Sequence, residues 1–228
     1  MENLLLKLMA ESFDRKQTGI TRPGGTQPFI TISREFGCQA NLLAEMLKKE
    51  LDINGKSWRI MNKEIIFDAA RELNMDPEII NNISGAIDRT QFDEIMSALS
   101  SKYYKSDRKI RQTVASVVSN AAQSGQVIIV GRGGAAITHG LVPAIHIHLI
   151  APIEWRLNSL MQRHNLKREE AFKQLTEIDH KRYKIFRDYV KWAEPIEQLF
   201  DLTFNCSTVT HNEMVGMIMN LVSERKMV

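Results

Sequence analysis

The segment Ile30-Thr31-Ile32-Ser33-Arg34-Glu35-Phe36-Gly37-Cys38-Gln39-Ala40-Asn41 runs into a stretch whose apolar positions, Leu42, Leu43, Met46 and Leu47, recur with helical spacing. A buried strand, a tight turn with one glycine and a helix start gather unsatisfied backbone amides around one point, where the helix dipole adds partial positive charge. The chemistry on offer is anion binding, phosphate above all. The pattern leaves two readings: a phosphate cradle over residues 33–41, or an ordinary strand-to-helix turn, since the Lys-Ser or Lys-Thr of a standard phosphate loop is missing.

A second apolar run, 127–130, leads into Gly131-Arg132-Gly133-Gly134. Gly131, Gly133 and Ala136 match a dinucleotide fingerprint, but no acid closes the next strand, which ends at Ile150-Ala151-Pro152, so a nicotinamide or flavin site is the weaker reading. Arg132 stands just past the carboxyl end of a strand. From there a guanidinium either grips a phosphate bidentately in the ligand crevice or lies on the surface beside a turn.

Arg156 and Arg163, seven residues apart, share a helix face that suits a lid over polyphosphate or, almost equally, a solvated basic face. Arg182 fills a gap in the apolar stripe Ala171, Leu175, Ile178, Ile185 and Tyr189. A cation there needs a partner. Asp179, one turn earlier, is the internal one, and an overhanging anionic ligand is the other. His146 and His148 share one side of a strand, but no third ligand accompanies them, so packed histidines are expected and no metal site is assigned. Met214, Met217 and Met219 read as core filler of a C-terminal helix.

These residues need a scaffold, and the rest of the chain predicts a parallel sheet. Short apolar runs at 29–33, 58–61, 127–130, 144–150 and 202–205 alternate with amphipathic stretches, the signature of βα units. The first, third and fourth runs are nearly continuous and rich in β-branched residues, as in strands covered on both faces. A helical insertion fills the interval between the second and third strands. It includes a helix start at Asp76-Pro77-Glu78 and a helix over 108–122 that stops at Gly125. A second helical excursion spans 154–191. Residues 1–27 form a short amphipathic helix and a Gly- and Pro-containing linker, an appendage suited to docking or to a homodimer contact, ahead of one domain over 28–228.

Thirty Lys plus Arg against 27 Asp plus Glu leave a formal charge of +3 over 228 residues. That balance excludes nucleic acid and an anionic membrane as default partners. With 43% hydrophobic residues the chain can build a core and is not disordered. Cys38 and Cys206 have neither disulfide-framework nor zinc spacing. The N-terminal apolar stretch is interrupted by Lys7 and too short to export the chain or cross a bilayer, so a cytoplasmic protein is expected.

Taken together, the motifs resemble the cytidylate kinase-like branch of the nucleoside monophosphate kinases. The resemblance rests on the octapeptide over 30–37, Val130-Gly131-Arg132, Ala151-Pro152-Ile153-Glu154-Trp155-Arg156, the segment 179–182, Phe200-Asp201-Leu202 and Asn205-Cys206-Ser207, and covers roughly 28–224. It implies an α/β three-layer P-loop kinase fold with a five-stranded parallel sheet, a helical nucleotide-monophosphate region at about 60–122 and a helical lid at about 154–191. It further implies transfer of a phosphoryl group from ATP, with Mg²⁺, to CMP or a related pyrimidine nucleotide. By position, Ser33, Arg34, Glu35, Phe36, Gly37, Cys38, Gln39, Ala40 and Asn41 would hold the donor phosphates. Arg132, Asp179 and Arg182 would bind the acceptor, and Arg132, Arg156, Arg163 and Arg182 would neutralise the transferring charge. The chain departs from that pattern at three places. Cys38-Gln39-Ala40-Asn41 replaces Ser-Gly-Gly-Arg, Asn62 replaces an acid, and Gly133 replaces the Asp that follows Gly-Arg. These departures motivate an alternative, a nucleotide-binding regulatory or scaffold protein that keeps the fold without turnover.

Overall fold

The computed structural model describes residues 27–53, 57–62, 64–76, 107–190 and 195–228. The strands are β1 (Phe29–Arg34), β2 (Arg59–Met61), β3 (Val127–Val130), β4 (Ala144–Ile150) and β5 (Leu202–Asn205). They form one parallel sheet in the order β2-β3-β1-β4-β5. The helices are α1 (Ala40–Ile53), α2 (Glu64–Leu73), α3 (Asp107–Ser124), α4 (Gly134–Ile137), α5 (Ile153–His164), α6 (Arg168–Tyr189) and α7 (His211–Glu224).

All five expected strands are present, with small shifts at their ends. β1 runs one residue further, to Arg34, because Arg34 pairs with Leu149 of β4. β2 starts at Arg59, since the amide of Trp58 donates to Asp52 Oδ1 at 2.8 Å instead of joining the ladder. The expected helix over 108–122 extends to Asp107–Ser124 and stops where Gly125 takes φ +69°. A Cβ at Gly125 would lie 1.9 Å from that of Gln27, so the stop and the approach to β1 both require glycine there. The appendage and the helix start at Pro77 lie outside the described residues.

The period-two alternation of the strands sorts their side chains into two cores. Ile30, Ile32, Ile128, Ile145 and Ile147 face α1 and α7, where Leu43, Leu47, Met214 and Ile218 meet them. Phe29, Val127 and Ile129 face the other way, onto Ala69 and Ala70 of α2 and Val114 and Val118 of α3. The result is three layers. Each fully buried Leu or Ile contributes roughly 1.5–3 kcal/mol, so the sheet is a rigid platform. Of the three C-terminal methionines, Met214 is buried and Met219 packs against the core, but Met217 is exposed, because its place on α7 turns it to the outer face.

At the carboxyl edge of the sheet, β1 leads into α1, β3 into α4 and β4 into α5. Open α/β folds bind ligands at that edge. α5 and α6 occupy the second helical excursion and pack through Leu157, Leu160, Ala171 and Leu175, with Phe36 of the first loop against them.

Candidate active site

The loop between β1 and α1 is tightly tethered. Glu35 N–H donates to Leu149 O at 2.9 Å, Cys38 N–H to Glu35 O at 3.3 Å, and Leu43 N–H to Gln39 O at 3.2 Å, which opens the helix. Gly37 has φ +102°, and a Cβ there would lie 2.9 Å from Arg156 Cβ, so the loop leans directly on α5. The loop carbonyls are held from that side. Gly37 O accepts from Arg163 Nη2 at 2.7 Å and Ser159 Oγ at 3.3 Å, and Phe36 O accepts from Arg156 Nη1 at 3.3 Å. The amide of Phe36 donates to Asp179 Oδ1 at 2.7 Å, so this part of the loop already binds one anion, a side-chain carboxylate.

Arg156 organises that contact. It is buried, pairs through Nη1 with Asp179 Oδ2, and donates from Nε to Ala151 O at 3.0 Å. Glu35 Oε2 lies 3.3 Å from the same Nε and also accepts from Ala151 N–H at 3.0 Å. One guanidinium thus ties together the first loop, the start of α5 and the middle of α6. A buried charge with this many partners is a fastener.

A second arginine set behaves differently. Arg182 donates from Nη1 to Arg34 O at 3.1 Å, and its guanidinium lies 5.4 Å from the centroid of the Phe36 ring. Arg34 passes over Gly131 so closely that a Cβ there would lie 2.0 Å from Nη1. Burial, together with the Arg182 and Arg132 guanidinium groups, pulls the pKa of Arg34 down to about 9. Burial also lowers Arg132 and Arg182; at Arg182 the Asp179 carboxylate opposes that shift and the Arg132 guanidinium adds to it. Three cations from β1, the end of β3 and α6 therefore repel one another in a partly dry crevice. An anion between them relieves that repulsion.

The turn that delivers Arg132 is strained. Arg132 has φ +56° between Gly131 at +77° and Gly133 at +69°, and Gly134 N–H closes the turn on Gly131 O at 2.9 Å. A left-handed arginine costs on the order of 1 kcal/mol, and such strain concentrates at functional sites. Gly133 has no room for a larger residue: a Cβ would meet Tyr189 Cδ2 at 2.9 Å.

Beside the arginines lies a cavity of about 370 Å³ lined by Arg34, His148, Asp179, Arg182, Tyr183 and Phe200, among others. His148 stacks on Phe200 with centroids 4.5 Å apart, and Phe186 meets Phe200 edge-on at 5.8 Å. A charged rim over aromatic walls suits a planar anionic ligand.

The residues singled out in the sequence thus fall into distinct places. Arg34, Phe36, Arg132, Asp179 and Arg182 converge on one crevice. Ser33 is buried within the sheet, Ala40 is the buried first residue of α1, Gln39 is half-buried and Asn41 is exposed. Arg163 is exposed and holds the loop by its carbonyl. The ion-pair partner of Asp179 is Arg156, on another helix, and Arg182 one turn away turns to the crevice. Both histidines are packed: His146 Nδ1 lies 2.8 Å from Thr31 Oγ1, and His148 stacks on Phe200. The sequence reading missed the Glu35–Arg156 pair, which no local pattern signals.

The family model described as the cytidylate kinase-like family matches residues 29–208. An uncharacterized protein from Eubacterium ventriosum superposes with a TM-score of 0.60 at 17% identity, covering 87% of this chain and 100% of that one. Shikimate kinase from Bacteroides thetaiotaomicron gives a TM-score of 0.45 at 11% identity, covering 86% and 98%. Uronate isomerase from Corynebacterium glutamicum is 22% identical over 128 residues, which are 56% of this chain and only 24% of that relative. The chain thus spans about a quarter of the length of that curated relative. The family match runs from the first residue of β1 to just past β5 and takes in every residue of the crevice, and the chain belongs to the cytidylate kinase-like family.

Proposed function

We propose that this protein is a nucleotide kinase that transfers the γ-phosphoryl group of ATP to a nucleoside monophosphate, CMP or a related pyrimidine nucleotide. The observation that carries the reading is the convergence of Arg34, Arg132 and Arg182 beside a loop amide that already holds a carboxylate. Phosphoryl transfer asks a protein chiefly to align two nucleotides and to stabilise spreading negative charge, work that amides and guanidinium groups do without a covalent nucleophile.

In this reading, the backbone amides of the loop within residues 33–41 meet the donor phosphates, to which the buried side chains of Ser33, Cys38 and Ala40 contribute nothing; Arg132 takes the acceptor phosphate, and Asp179 and Arg182 line the acceptor site. Arg163 brings charge from the exposed face of α5, whereas Arg156, buried and fully engaged, acts through the loop it holds. The Asp that follows Gly-Arg in the family pattern has no counterpart here, since Tyr189 fills the space beside Gly133. Base selection then falls to the aromatic cavity at Phe200, Tyr183 and His148.

Among the described residues no three His, Cys, Asp or Glu side chains converge as a metal cage, and the carboxylates nearest the loop, Glu35 and Asp179, are engaged by Arg156 and backbone amides. The donor set therefore fits Mg²⁺ that arrives on the nucleotide, coordinated by phosphate oxygens, where it would neutralise charge. No helix among the described residues is long and apolar enough to cross a membrane.

A coupled assay with ATP, Mg²⁺ and each nucleoside monophosphate tests the proposal. ADP formation above blank is expected with at least one acceptor, and none with any acceptor rejects it. A second reading, a nucleotide-binding regulatory protein without turnover, is favoured by one feature: side chains at Gln39 and Ala40 where the family pattern has glycines. ATP binding measured by calorimetry in the absence of turnover would select it.

A further inference from the structure

The turn that carries Arg132 is held by backbone on its inner side and by α6 on its outer side. Gly131 N–H donates to Ile32 O at 2.9 Å, and Gly134 N–H closes on Gly131 O at 2.9 Å. On the outer side, a Cβ built at Gly133 would stand 2.9 Å from Tyr189 Cδ2 and 3.2 Å from Cε2, with Ile185 Cγ2 at 3.3 Å. Tyr189 is the last residue of α6, and it is braced in turn. Its hydroxyl donates to Arg111 O of α3 at 3.2 Å, and its neighbour Asp188 forms an ion pair with the Arg111 side chain. Because α3 packs on the sheet through Val114 and Val118, the brace belongs to the rigid platform. Burial pushes the Tyr189 phenol up to about 12, so it remains a donor at neutral pH.

The same face of α6 supplies another cation of the crevice. Arg182, Ile185 and Tyr189 follow at steps of three and four, so they lie along one side of the helix over about 10 Å. Arg182 reaches Arg34 O from one end of that stripe, and Tyr189 covers the Arg132 turn from the other. One helix therefore sets where Arg132 stands relative to Arg182. The setting matters because the two guanidinium groups repel each other, and because Arg132 keeps a left-handed φ of +56° that an unsupported arginine leaves readily. Uncovering Gly133 lets the turn relax and the two arginines part.

We propose that Tyr189 is a positioning residue: its ring, braced on α3, holds the Arg132 turn so that Arg132 and Arg182 close on one phosphate of the acceptor. The phenol touches no substrate and moves no proton; it acts through Arg132. This role rests on the kinase reading for the identity of the acceptor, and only on the cationic crevice for the binding of phosphate itself.

A double-mutant cycle tests the role, with the dissociation constant of inorganic phosphate taken from the rise in melting temperature. Tyr189→Ala should weaken phosphate about fivefold or more, whereas the same change in an Arg132→Ala background should cost less than about twofold. Tyr189→Phe, which keeps the ring and loses only the hydroxyl, should stay within about threefold of the unaltered protein. A tyrosine with a purely structural part would lower the melting temperature without ligand and leave the phosphate constant alone, and that result overturns the proposal. Equal losses in the two backgrounds overturn it as well. Should Tyr189→Ala fail to fold, Tyr189→Leu, which keeps apolar volume without a flat ring, takes its place in the same cycle. In turnover, the KM of the nucleoside monophosphate should rise in Tyr189→Ala while that of ATP holds, and a rise for ATP alone removes the assignment to the acceptor. A protein without turnover whose cycle behaves as stated loses the kinase reading and keeps the role of Tyr189. Turnover with additive losses does the reverse.

Discussion

The amide of Phe36 donates to the carboxylate of Asp179 at 2.7 Å, across 143 positions of sequence. The loop that sequence pattern marked as an anion cradle is therefore met by an internal anion from α6, whose counter-charge is Arg156. A phosphate arriving at this amide competes with Asp179, and the nearby cations Arg34, Arg132 and Arg182 favour the more highly charged ligand.

Arg156→Ala is expected to cost about 3–5 kcal/mol of stability, because it strands the carboxylates of Glu35 and Asp179 around a buried gap. Arg156→Lys should recover only part, since one ammonium cannot reach Ala151 O, Phe36 O and Asp179 together. Denaturant midpoints at neutral pH measure both. A loss under about 1 kcal/mol for the alanine variant would remove the fastening role.

Inorganic phosphate or sulfate should stabilise the protein, because it binds only where the folded chain brings the three arginines together. At a hundred times its dissociation constant the gain is about 2.7 kcal/mol, seen as a rising melting temperature. Arg182→Ala and Arg132→Ala should each weaken the ligand by roughly 1.5–3 kcal/mol, at least tenfold in affinity. Equal responses in wild type and both variants would place the anion elsewhere.

Gly131→Ala probes Arg34 from below. The new methyl would lie 2.0 Å from Arg34 Nη1, the far end of a flexible chain, so the guanidinium moves while the fold survives. The left-handed φ of +77° adds a penalty of about 1 kcal/mol. Phosphate affinity should fall as in Arg34→Ala, and the double variant should lose little more. Additive losses would mean that Gly131 does not act through Arg34.

Stability should fall in acid through His146. Burial pushes this imidazole down to about 4 from its usual 6.5, against the opposing pull of Asp201. Between those values the unfolded chain binds a proton that the folded protein refuses, so stability is full above pH 6.5 and is lost as pH drops toward 4. The total from this group is about 3 kcal/mol. His146→Gln, which keeps a partner for Thr31, should flatten that slope in pH-dependent unfolding. An unchanged slope would assign the acid sensitivity to other groups.

Strand positions were legible because burial on both faces demands nearly continuous apolar runs; 127–130 is unbroken and 144–150 is interrupted only by His146 and His148. Gly125 marked a helix end for a local reason too, its left-handed backbone. Met217 was misjudged because a methionine on a helix does not reveal which face the core takes. Proximity along the helix left Asp179 and an anionic ligand as alternative partners of Arg182, and it could not show that the ion-pair partner of Asp179 is Arg156 of α5.

The amino-acid sequence by itself determined the layered architecture, the anion-seeking turn after β1 and the stock of arginines, since each depends on patterns within a dozen residues. Only the tertiary structure decided what each charge does. Arg156 became a buried fastener and Arg34 a member of the cationic crevice. Burial and charge partners arise from the stacking of β1, β3, β4 and α6, and they depend on distances that sequence separation does not encode.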